Sequence, residues 1–177
     1  CGIISCQKND ITANYRVVPL PQEITLIEAD EFNLDSKTVI SYIGDEQMKH
    51  NAELLAEYIK DATSLDLSIT DQPAKKAVTL ATADYIGNNE GYNLGIDNAG
   101  IRITGKTPAG VFYGIQTLRK SLPVGKASTV KMPAVQINDY PRFSYRGAHL
   151  DVSRHFFTKD SIKRFIDILA MHNINRF

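Results

Sequence analysis

The sequence has 177 residues, 43 % of them hydrophobic, so it is long enough to bury a core as one domain, or as one domain with part of another. Twenty Lys and Arg balance twenty Asp and Glu, and this neutral charge argues against nucleic acid or an anionic membrane surface as a partner. No apolar run approaches the roughly 20 residues that a membrane-spanning helix needs.

The N-terminus carries both cysteines of the chain, Cys1 and Cys6, so we expect neither a disulfide framework nor a thiolate metal site in the folded part. The run Ile-Ile-Ser-Cys that ends at Cys6 resembles a bacterial lipobox. It predicts that residues 1–14 are a signal-peptide remnant and lipoprotein linker, that Cys6 is the lipidation site, and that the protein is exported, either anchored in the periplasm or outer membrane or secreted. The alternative is two ordinary thiols at an arbitrary chain start.

The next segment predicts strands followed by a helix. Residues 31–43 are rich in β-branched and aromatic side chains, which indicates one or two strands. Asp45 can cap a helix whose apolar side chains repeat every three or four residues. This apolar stripe consists of Met48, Ala52, Leu55, Ile59 and Ala62. A helix with one such stripe requires a sheet to cover it.

A hairpin and a second helix follow. Residues 91–97 and 100–104 alternate apolar and polar side chains on either side of a short turn, which predicts a ribbon with one buried face. Thr107 and Pro108 fit the N-cap and the first turn of a helix. Its apolar stripe consists of Val111, Ile115, Leu118 and Leu122.

Runs of strands with two amphipathic helices are typical of an α+β domain, to which we assign residues 15–140, with both helices on one face of a mainly antiparallel sheet. From Pro141 the pattern changes to a strand over residues 145–151, a helix capped by Thr158, and the beginning of another strand. The helix has a predicted buried face of Ile162, Phe165, Ile166 and Leu169. Residues 141–177 therefore predict one βα unit, which is not a domain by itself because a parallel strand must be paired and covered on both faces.

Three stretches, residues 100–120, 133–157 and 162–177, resemble glycoside hydrolase family 20. In that family a small α+β domain precedes a (β/α)₈ barrel that holds the active site. The resemblance implies that residues 15–140 are this accessory domain. It also implies that residues 141–177 are the first strand and helix, and the start of the second strand, of a truncated catalytic barrel.

Members of the family release terminal β-linked N-acetylglucosamine or N-acetylgalactosamine with retention, and the substrate's own acetamido group is the nucleophile. An Asp-Glu pair on a later barrel strand orients that group and supplies the general acid. Here the pair occurs at Asp30-Glu31 and Asp45-Glu46, where loop and capping signals predict surface roles. The resemblance therefore implies the N-terminal portion of an exo-β-N-acetylhexosaminidase, and we expect the 177-residue chain alone to be inactive.

Four residues of the barrel segment are candidates for the substrate site. The resemblance assigns Arg146 to the arginine that hydrogen-bonds sugar hydroxyls, for which a guanidinium offers several fixed donors; the alternative is an arginine that extends to solvent. The carboxyl end of a barrel strand is where such enzymes place their chemistry. This position makes His155 a second candidate for substrate contact, and Asp151 and Arg154 a supporting ion pair.

The sequence predicts no cofactor and no metal. It contains no H-E-x-x-H, no cysteine at ligand spacing from histidines and no glycine-rich phosphate loop. The expected partner is the terminal β-N-acetylhexosaminide of a glycan, bound through the rest of the barrel, on which the accessory domain would pack.

A stand-alone carbohydrate-binding or structural interaction module of an extracellular glycan-degrading system is the alternative function. The chain has no Trp, the largest aromatic platform for sugars, which argues against a binding module. Its eight Tyr keep this alternative open. Phe112, Tyr113 and Tyr92 lie on or beside predicted buried stripes, and we expect them in the core.

Overall fold

The computed structural model describes residues 10–177, so the lipidation candidate Cys6 lies outside the described residues. Within this range the chain forms ten strands and three helices. The strands are β1 (Asp10–Thr12), β2 (Glu23–Leu26), β3 (Phe32–Asp35), β4 (Val39–Tyr42), β5 (Ser68–Thr70), β6 (Ala77–Thr82), β7 (Tyr92–Asp97), β8 (Gly100–Gly105), β9 (Thr129–Met132) and β10 (Val135–Asp139). The helices are α1 (Glu46–Thr63), α2 (Pro108–Ser121) and α3 (Lys159–Met171).

Helices α1 and α2 form where the apolar stripes predict them. The carboxylate of Asp45 caps α1 by accepting hydrogen bonds from the backbone N–H groups of Gln47 and Met48. Thr107 caps α2, and Pro108 occupies its first turn, as expected. Almost all of the predicted stripe residues of both helices are buried: Met48, Ala52, Leu55, Ile59, Val111, Ile115, Leu118 and Leu122.

The main sheet has the order β2-β10-β7-β8-β6-β4-β5. Helices α1 and α2 contact each other, α1 packs on β4 to β6 and α2 on β6 to β8, so the two share one face. The α+β class is confirmed by this arrangement. The outer face of β7, β8 and β10 carries polar side chains, including those of Asn93, Arg102 and Gln136, because apolar and polar side chains alternate along these strands.

The prediction of a mainly antiparallel sheet is wrong in its proportion. Within residues 10–177, the pairs β2-β10, β10-β7 and β7-β8 are antiparallel, whereas β8-β6, β6-β4 and β4-β5 are parallel. Helix α1 connects β4 to β5 as a crossover, which makes these neighbours parallel. The loop between β6 and β7 leaves a gap of one strand between them in the sheet, and β8 fills this gap. Alternation of side chains along a strand does not reveal the direction of its partner.

A second sheet, β1-β9-β3, completes the domain. Strand β1 lies inside the segment predicted as a linker. The sequence does not signal this strand, because the parallel pairing of residues 10–12 with β9 depends on backbone groups rather than on an apolar pattern. Phe32, Leu34, Val130 and Met132 from this sheet join the same apolar core as the main sheet and helices.

Two glycines of α2 make close contacts, Gly114 with the sheet and Gly110 with the loop that precedes β7. A Cβ on Gly114 would lie 2.5 Å from Cγ2 of Ile103 on β8. A Cβ on Gly110 would lie 2.3 Å from the carbonyl oxygen of Gly91. No side chain fits at either point, so backbone packs directly on backbone or on a core side chain.

Residues 143–177 fold differently from the rest. Helix α3 is capped by Thr158 as predicted, but none of its residues is fully buried. Of the predicted buried face, Ile162, Phe165 and Leu169 are half-buried and Ile166 is 46 % exposed. The strand predicted over residues 145–151 is paired through one parallel bridge, Gly147 to Arg176, because no further neighbouring strand lies within the described residues. No helix between residues 10 and 177 is long and apolar enough to cross a membrane.

Candidate functional site

The candidate site is built on the strand-helix-strand unit at the end of the chain. The backbone N–H of Asn175 donates to the carbonyl of Arg146 at 2.9 Å, and that of Ala148 donates to the carbonyl of Arg176 at 3.0 Å. These bonds hold residues 146–148 parallel to residues 175–176, with α3 as the crossover between them. The carboxyl end of the first strand therefore leads directly into residues 151–157.

Asp151, Arg154 and His155 lie together at this end of the strand. The Asp151 carboxylate accepts the backbone N–H groups of Ser153 and Arg154 at 2.9 and 3.1 Å, and it also accepts the Nε–H of Arg154. The hydrogen bonds from the backbone and side chain of Arg154 hold the pKa of Asp151 below its usual range. The Arg154 side chain is 83 % exposed, and His155 is exposed as well. The carboxylate thus orients a guanidinium whose terminal nitrogens face solvent.

Arg146, the predicted sugar-binding arginine, lies in a different environment. Its Nε donates to the carbonyl oxygen of Asn173 at 2.6 Å, and Nη1 donates to the carbonyl of Phe143 at 2.7 Å and to Glu90 Oε2 at 3.0 Å. Its Nη2 donates to Glu90 Oε1 and to the Tyr113 hydroxyl, both at 3.1 Å. A guanidinium has five N–H groups, and all five of them have protein acceptors here. No donor of Arg146 is left for a sugar in this arrangement.

Glu90 is the centre of the polar cluster around Arg146. It comes from the loop between β6 and β7, and it also accepts hydrogen bonds from Tyr113 on α2 and from the side chain of Asn175, each at 3.1 Å. The Arg146 and Glu90 side chains are only 16 % and 22 % exposed. The hydrogen bonds from Arg146 hold the pKa of Glu90 below its ordinary value. The cluster therefore joins residues 143–177 to the accessory domain through a bidentate, largely buried ion pair.

Lys120 forms a second link between the same two regions. Its Nζ, near the C-terminal end of α2, donates to the carbonyl oxygen of Met171 at the C-terminal end of α3, at 3.1 Å. Burial lowers the pKa of Lys120 to about 8. The position of this ammonium is favourable because the carbonyl oxygens that end a helix carry partial negative charge.

The two Asp-Glu pairs have the surface and capping roles predicted from their surroundings. Asp45 caps α1 and Glu46 is exposed beside it, and Asp30 and Glu31 lie exposed between β2 and β3. In the described part of the chain, no three His, Cys, Asp or Glu side chains are grouped so that they could hold a metal ion.

Two family models match the chain, and they meet near Pro141. Residues 14–140 match domain 2 of glycosyl hydrolase family 20, and residues 143–177 match the catalytic domain of the same family. This chain belongs to glycoside hydrolase family 20. The resemblance that the motifs predicted is confirmed.

Known members of the family are similar over most of this chain. A β-hexosaminidase of Porphyromonas gingivalis is 39 % identical over 170 residues, which cover 91 % of this chain and 22 % of the relative. The solved structure of the Streptomyces plicatus N-acetyl-β-hexosaminidase in complex with Thio-NAglucal aligns with a TM-score of 0.78 and 32 % identity, over 90 % of this chain and 33 % of that one. A β-N-acetylhexosaminidase of Cellulomonas fimi is 26 % identical over 90 % of this chain and 33 % of its own length. The chain thus spans between about a fifth and a third of these family 20 relatives.

Sequence reasoning missed three members of the cluster around Arg146. Tyr113 was expected in the core, and its ring is indeed buried, but its hydroxyl faces the cluster. Glu90 lies in a turn-rich loop and Asn175 follows α3, and neither stands in a pattern that signals a role. Glu90 and Arg146 are 56 positions apart in the sequence, and only the fold brings them into contact.

Proposed function

We propose that this family 20 chain is the N-terminal portion of a retaining exo-β-N-acetylhexosaminidase, which hydrolyses terminal β-linked N-acetylglucosamine or N-acetylgalactosamine by substrate-assisted catalysis. The observation that carries the proposal is the turn at residues 151–155, which presents an oriented, exposed guanidinium at the carboxyl end of the first barrel strand. The similarity to named β-hexosaminidases over nine tenths of the chain supports the same activity.

Within this site we assign the sugar contact to Arg154 and its neighbour His155. Arg146 has no free N–H group, whereas the terminal nitrogens of Arg154 face solvent and have no partner within residues 10–177. The bond from Nε to Asp151 fixes the guanidinium plane, so that two N–H groups can reach vicinal hydroxyls without further ordering. Arg146 then acts as a residue that positions the barrel segment on the accessory domain.

The 177-residue chain should be inactive alone, because the family's catalytic Asp-Glu pair is expected on a later barrel strand, and the carboxylates that interact with Arg146 and Arg154 cannot replace its general acid. A general acid needs a raised pKa at its working pH. Hydrogen bonds lower the pKa of both Glu90 and Asp151, so both are ionised at neutral pH. Neither carboxylate can donate a proton to a leaving oxygen under those conditions.

Hydrolysis of aryl N-acetyl-β-D-glucosaminide and galactosaminide tests this proposal. The 177-residue chain should show no turnover, and a longer polypeptide that includes the complete barrel should be active on at least one substrate. In that longer enzyme, Arg154→Ala should lower kcat/KM about 100-fold, because two charge-assisted hydrogen bonds of roughly 1.5 kcal/mol each are lost. Arg164→Ala, at an exposed position of α3, is the matched control and should leave kcat/KM unchanged. Turnover by the short chain, or full activity of the Arg154 variant, would contradict the assignment.

The accessory domain acts in this proposal as a brace for the barrel. The ion pair between Glu90 and Arg146 and the bond from Lys120 to Met171 support this role, since both connect the two regions. Deleting residues 15–140 from the longer enzyme should lower the thermal stability of the barrel without abolishing chemistry in the molecules that fold. A barrel of unchanged stability after the deletion would contradict the brace.

Export and lipidation at Cys6 form a separate part of the proposal, which rests on the lipobox-like run before that residue. Mass spectrometry of the protein purified from its native membrane should find a diacylglyceryl group on Cys6 as the first residue. An unmodified Cys6 within a longer peptide would contradict it.

A further inference from the structure

Two tyrosines of the accessory domain differ from its other aromatic residues. Between residues 10 and 140, Tyr85 and Tyr140 are the only exposed aromatic side chains, at 76 % and 53 % exposure. The other aromatic rings of this region are buried or half-buried. Both exposed tyrosines line the same hollow of about 450 Å³ at the end of β7 and β10. A single exposed aromatic residue is common on a protein surface, whereas two beside one hollow form a larger patch that can serve a contact.

The loop that carries Tyr85 is fixed at both ends. At its start, Nζ of Lys106 donates to the carbonyl and carboxylate oxygens of Asp84 at 2.8 and 3.1 Å. At its end, the hydroxyl of Thr107 donates to the carbonyl of Asn89 at 2.6 Å. The side chain of Ile86 is buried directly after Tyr85. The hollow is therefore formed before any ligand arrives, which reduces the entropy that binding would cost.

The lining of the hollow exposes more apolar than polar surface, and it is nearly uncharged. Asn88, Asn93 and Asn138 line it together with Asp139, which is half-buried. Within the described residues, no partner is present for the amide nitrogen of Asn88 or the amide oxygen of Asn93. These two groups offer one donor and one acceptor to a ligand. Lys and Arg are absent from the lining, so phosphate and other anions are poorly matched.

We propose that this hollow is a second carbohydrate-binding site, separate from residues 151–155, which holds a neutral pyranose segment between Tyr85 and Tyr140 over the asparagine side chains. The C–H groups on a pyranose face pack on the negatively charged face of an aromatic ring, and its hydroxyls and amides exchange hydrogen bonds with asparagine. Volumes of roughly 300 to 1,000 Å³ are typical of small-ligand sites, and this hollow lies in that range.

The ligand that we expect first is a β-linked chain of N-acetylglucosamine, and this choice rests on the proposed function. A site on the accessory domain that holds the polymer would keep an exo-acting barrel near chain ends and raise its effective concentration there. The site requires no catalytic group and adds no chemical step.

Retention on insoluble polysaccharides tests the site with the 177-residue chain itself, in which the barrel is represented by residues 143–177. The polymers are a β-1,4-linked N-acetylglucosamine polymer, cellulose and starch. The chain should be retained on the first polymer. The double variant Tyr85→Ala/Tyr140→Ala should bind that polymer with an affinity at least roughly tenfold lower, because two stacking surfaces are lost. The double variant Tyr85→Phe/Tyr140→Phe keeps both rings and should retain most of the binding. Val124→Ala, at a residue that is 91 % exposed outside the hollow, is the control.

The outcomes separate this site from the proposed function. Lack of retention on all three polymers, or equal retention of the wild-type chain and the alanine double variant with unchanged thermal unfolding, would overturn the site. Retention that depends on the tyrosines but occurs on cellulose or starch alone would support a pyranose site and refute the N-acetylglucosamine ligand. If the longer enzyme fails to hydrolyse aryl N-acetylhexosaminides while the tyrosine-dependent retention persists, the proposed function falls and the site remains.

Discussion

Residues 14–140 and residues 143–177 are held in place by different forces. The first region has a continuous apolar core of two helices and two sheets, with more than twenty buried side chains. The second has no fully buried residue in its helix, and its strongest connections are the polar contacts of Arg146 and Lys120. A core stabilises through non-directional apolar burial. The junction between the two regions, formed by the contacts of Arg146 with Glu90 and of Lys120 with Met171, depends instead on a few polar groups in specific geometry. The two regions should therefore respond differently to substitution and to pH.

The two regions should differ most in how much stability they lose when an isoleucine is replaced by alanine. Ile103 is fully buried on β8, and Ile166 on α3 is 46 % exposed. Ile103→Ala should lower the free energy of unfolding of the chain by about 2–5 kcal/mol, because it removes buried methyl groups and leaves a cavity. Ile166→Ala should change it by about 0.5 kcal/mol or less. Urea unfolding followed by circular dichroism measures both. Equal losses would show that α3 shares the core.

The second effect concerns the junction alone. Glu90→Gln leaves the Arg146 guanidinium largely buried without its counter-charge, which should weaken the attachment of residues 143–177 by about 2 kcal/mol. Amide hydrogen exchange in residues 143–177 should then become roughly 30-fold faster, while exchange in the core strands of residues 14–140 stays constant.

Asp97→Asn is the matched control for this substitution. It breaks the ion pair of Asp97 with Arg102, which lies on the exposed face of the hairpin within the accessory domain. It should leave exchange in residues 143–177 unchanged, because surface pairs contribute little and this one does not reach the junction. A uniform acceleration over the whole chain in the Glu90 variant would contradict an independent junction.

The third effect is a loss of attachment in acid. Because the hydrogen bonds from Arg146 lower the pKa of Glu90 in the folded state, the stabilisation is fully present above the ordinary glutamate pKa of about 4.3 and is lost as pH falls through the lower, folded-state pKa. Exchange or limited proteolysis of residues 143–177 between pH 3 and 7 should show this loss below about pH 4. The profile should be flatter in Glu90→Gln. A transition that is identical in both proteins would assign it to another carboxylate.

The smallest effect is expected in base. Burial lowers the pKa of Lys120 to about 8, whereas an unfolded lysine titrates near 10.4. Between these values the unfolded chain binds more protons, so the free energy of unfolding should rise with pH. After allowance for partial exposure, the rise should be about 1 kcal/mol between pH 8 and 10. Lys120→Met should remove this part of the rise, and an unchanged slope in that variant would refute the assignment.

The sequence predicted well those elements whose evidence is local. The caps at Asp45, Thr107 and Thr158, the stripes of α1 and α2 and the hairpin of β7 and β8 all depend on residues close in the chain. The parallel half of the sheet was missed, because period-two alternation is the same for parallel and antiparallel partners. Strand β1 was missed because its pairing uses backbone groups of a polar segment.

The roles of Arg146 and Arg154 at the sugar site stay predictions, and the sequence could not decide between the two because a long side chain can reach two environments. Arg146 and Arg154 lie eight positions apart around one strand, and both suit a sugar chemically. The structure separates them by their partners. Every N–H group of the Arg146 guanidinium has an acceptor, from Glu90, Tyr113 and two backbone carbonyls, whereas Asp151 engages only one guanidinium nitrogen of Arg154. The side-chain partners of Arg146 are distant in sequence, whereas Asp151 is three residues from Arg154. Spacing alone therefore could not rank the two arginines.

The contact of Gly110 with the carbonyl of Gly91 has a genetic consequence. The loop that ends at Gly91 presents Tyr85 to one surface and Glu90 to another, so a single added methyl on α2 would displace both. We therefore expect a substitution at Gly110 to produce two defects at once. Selections for weaker polysaccharide retention and selections for a loosened C-terminal segment should both recover changes in this codon.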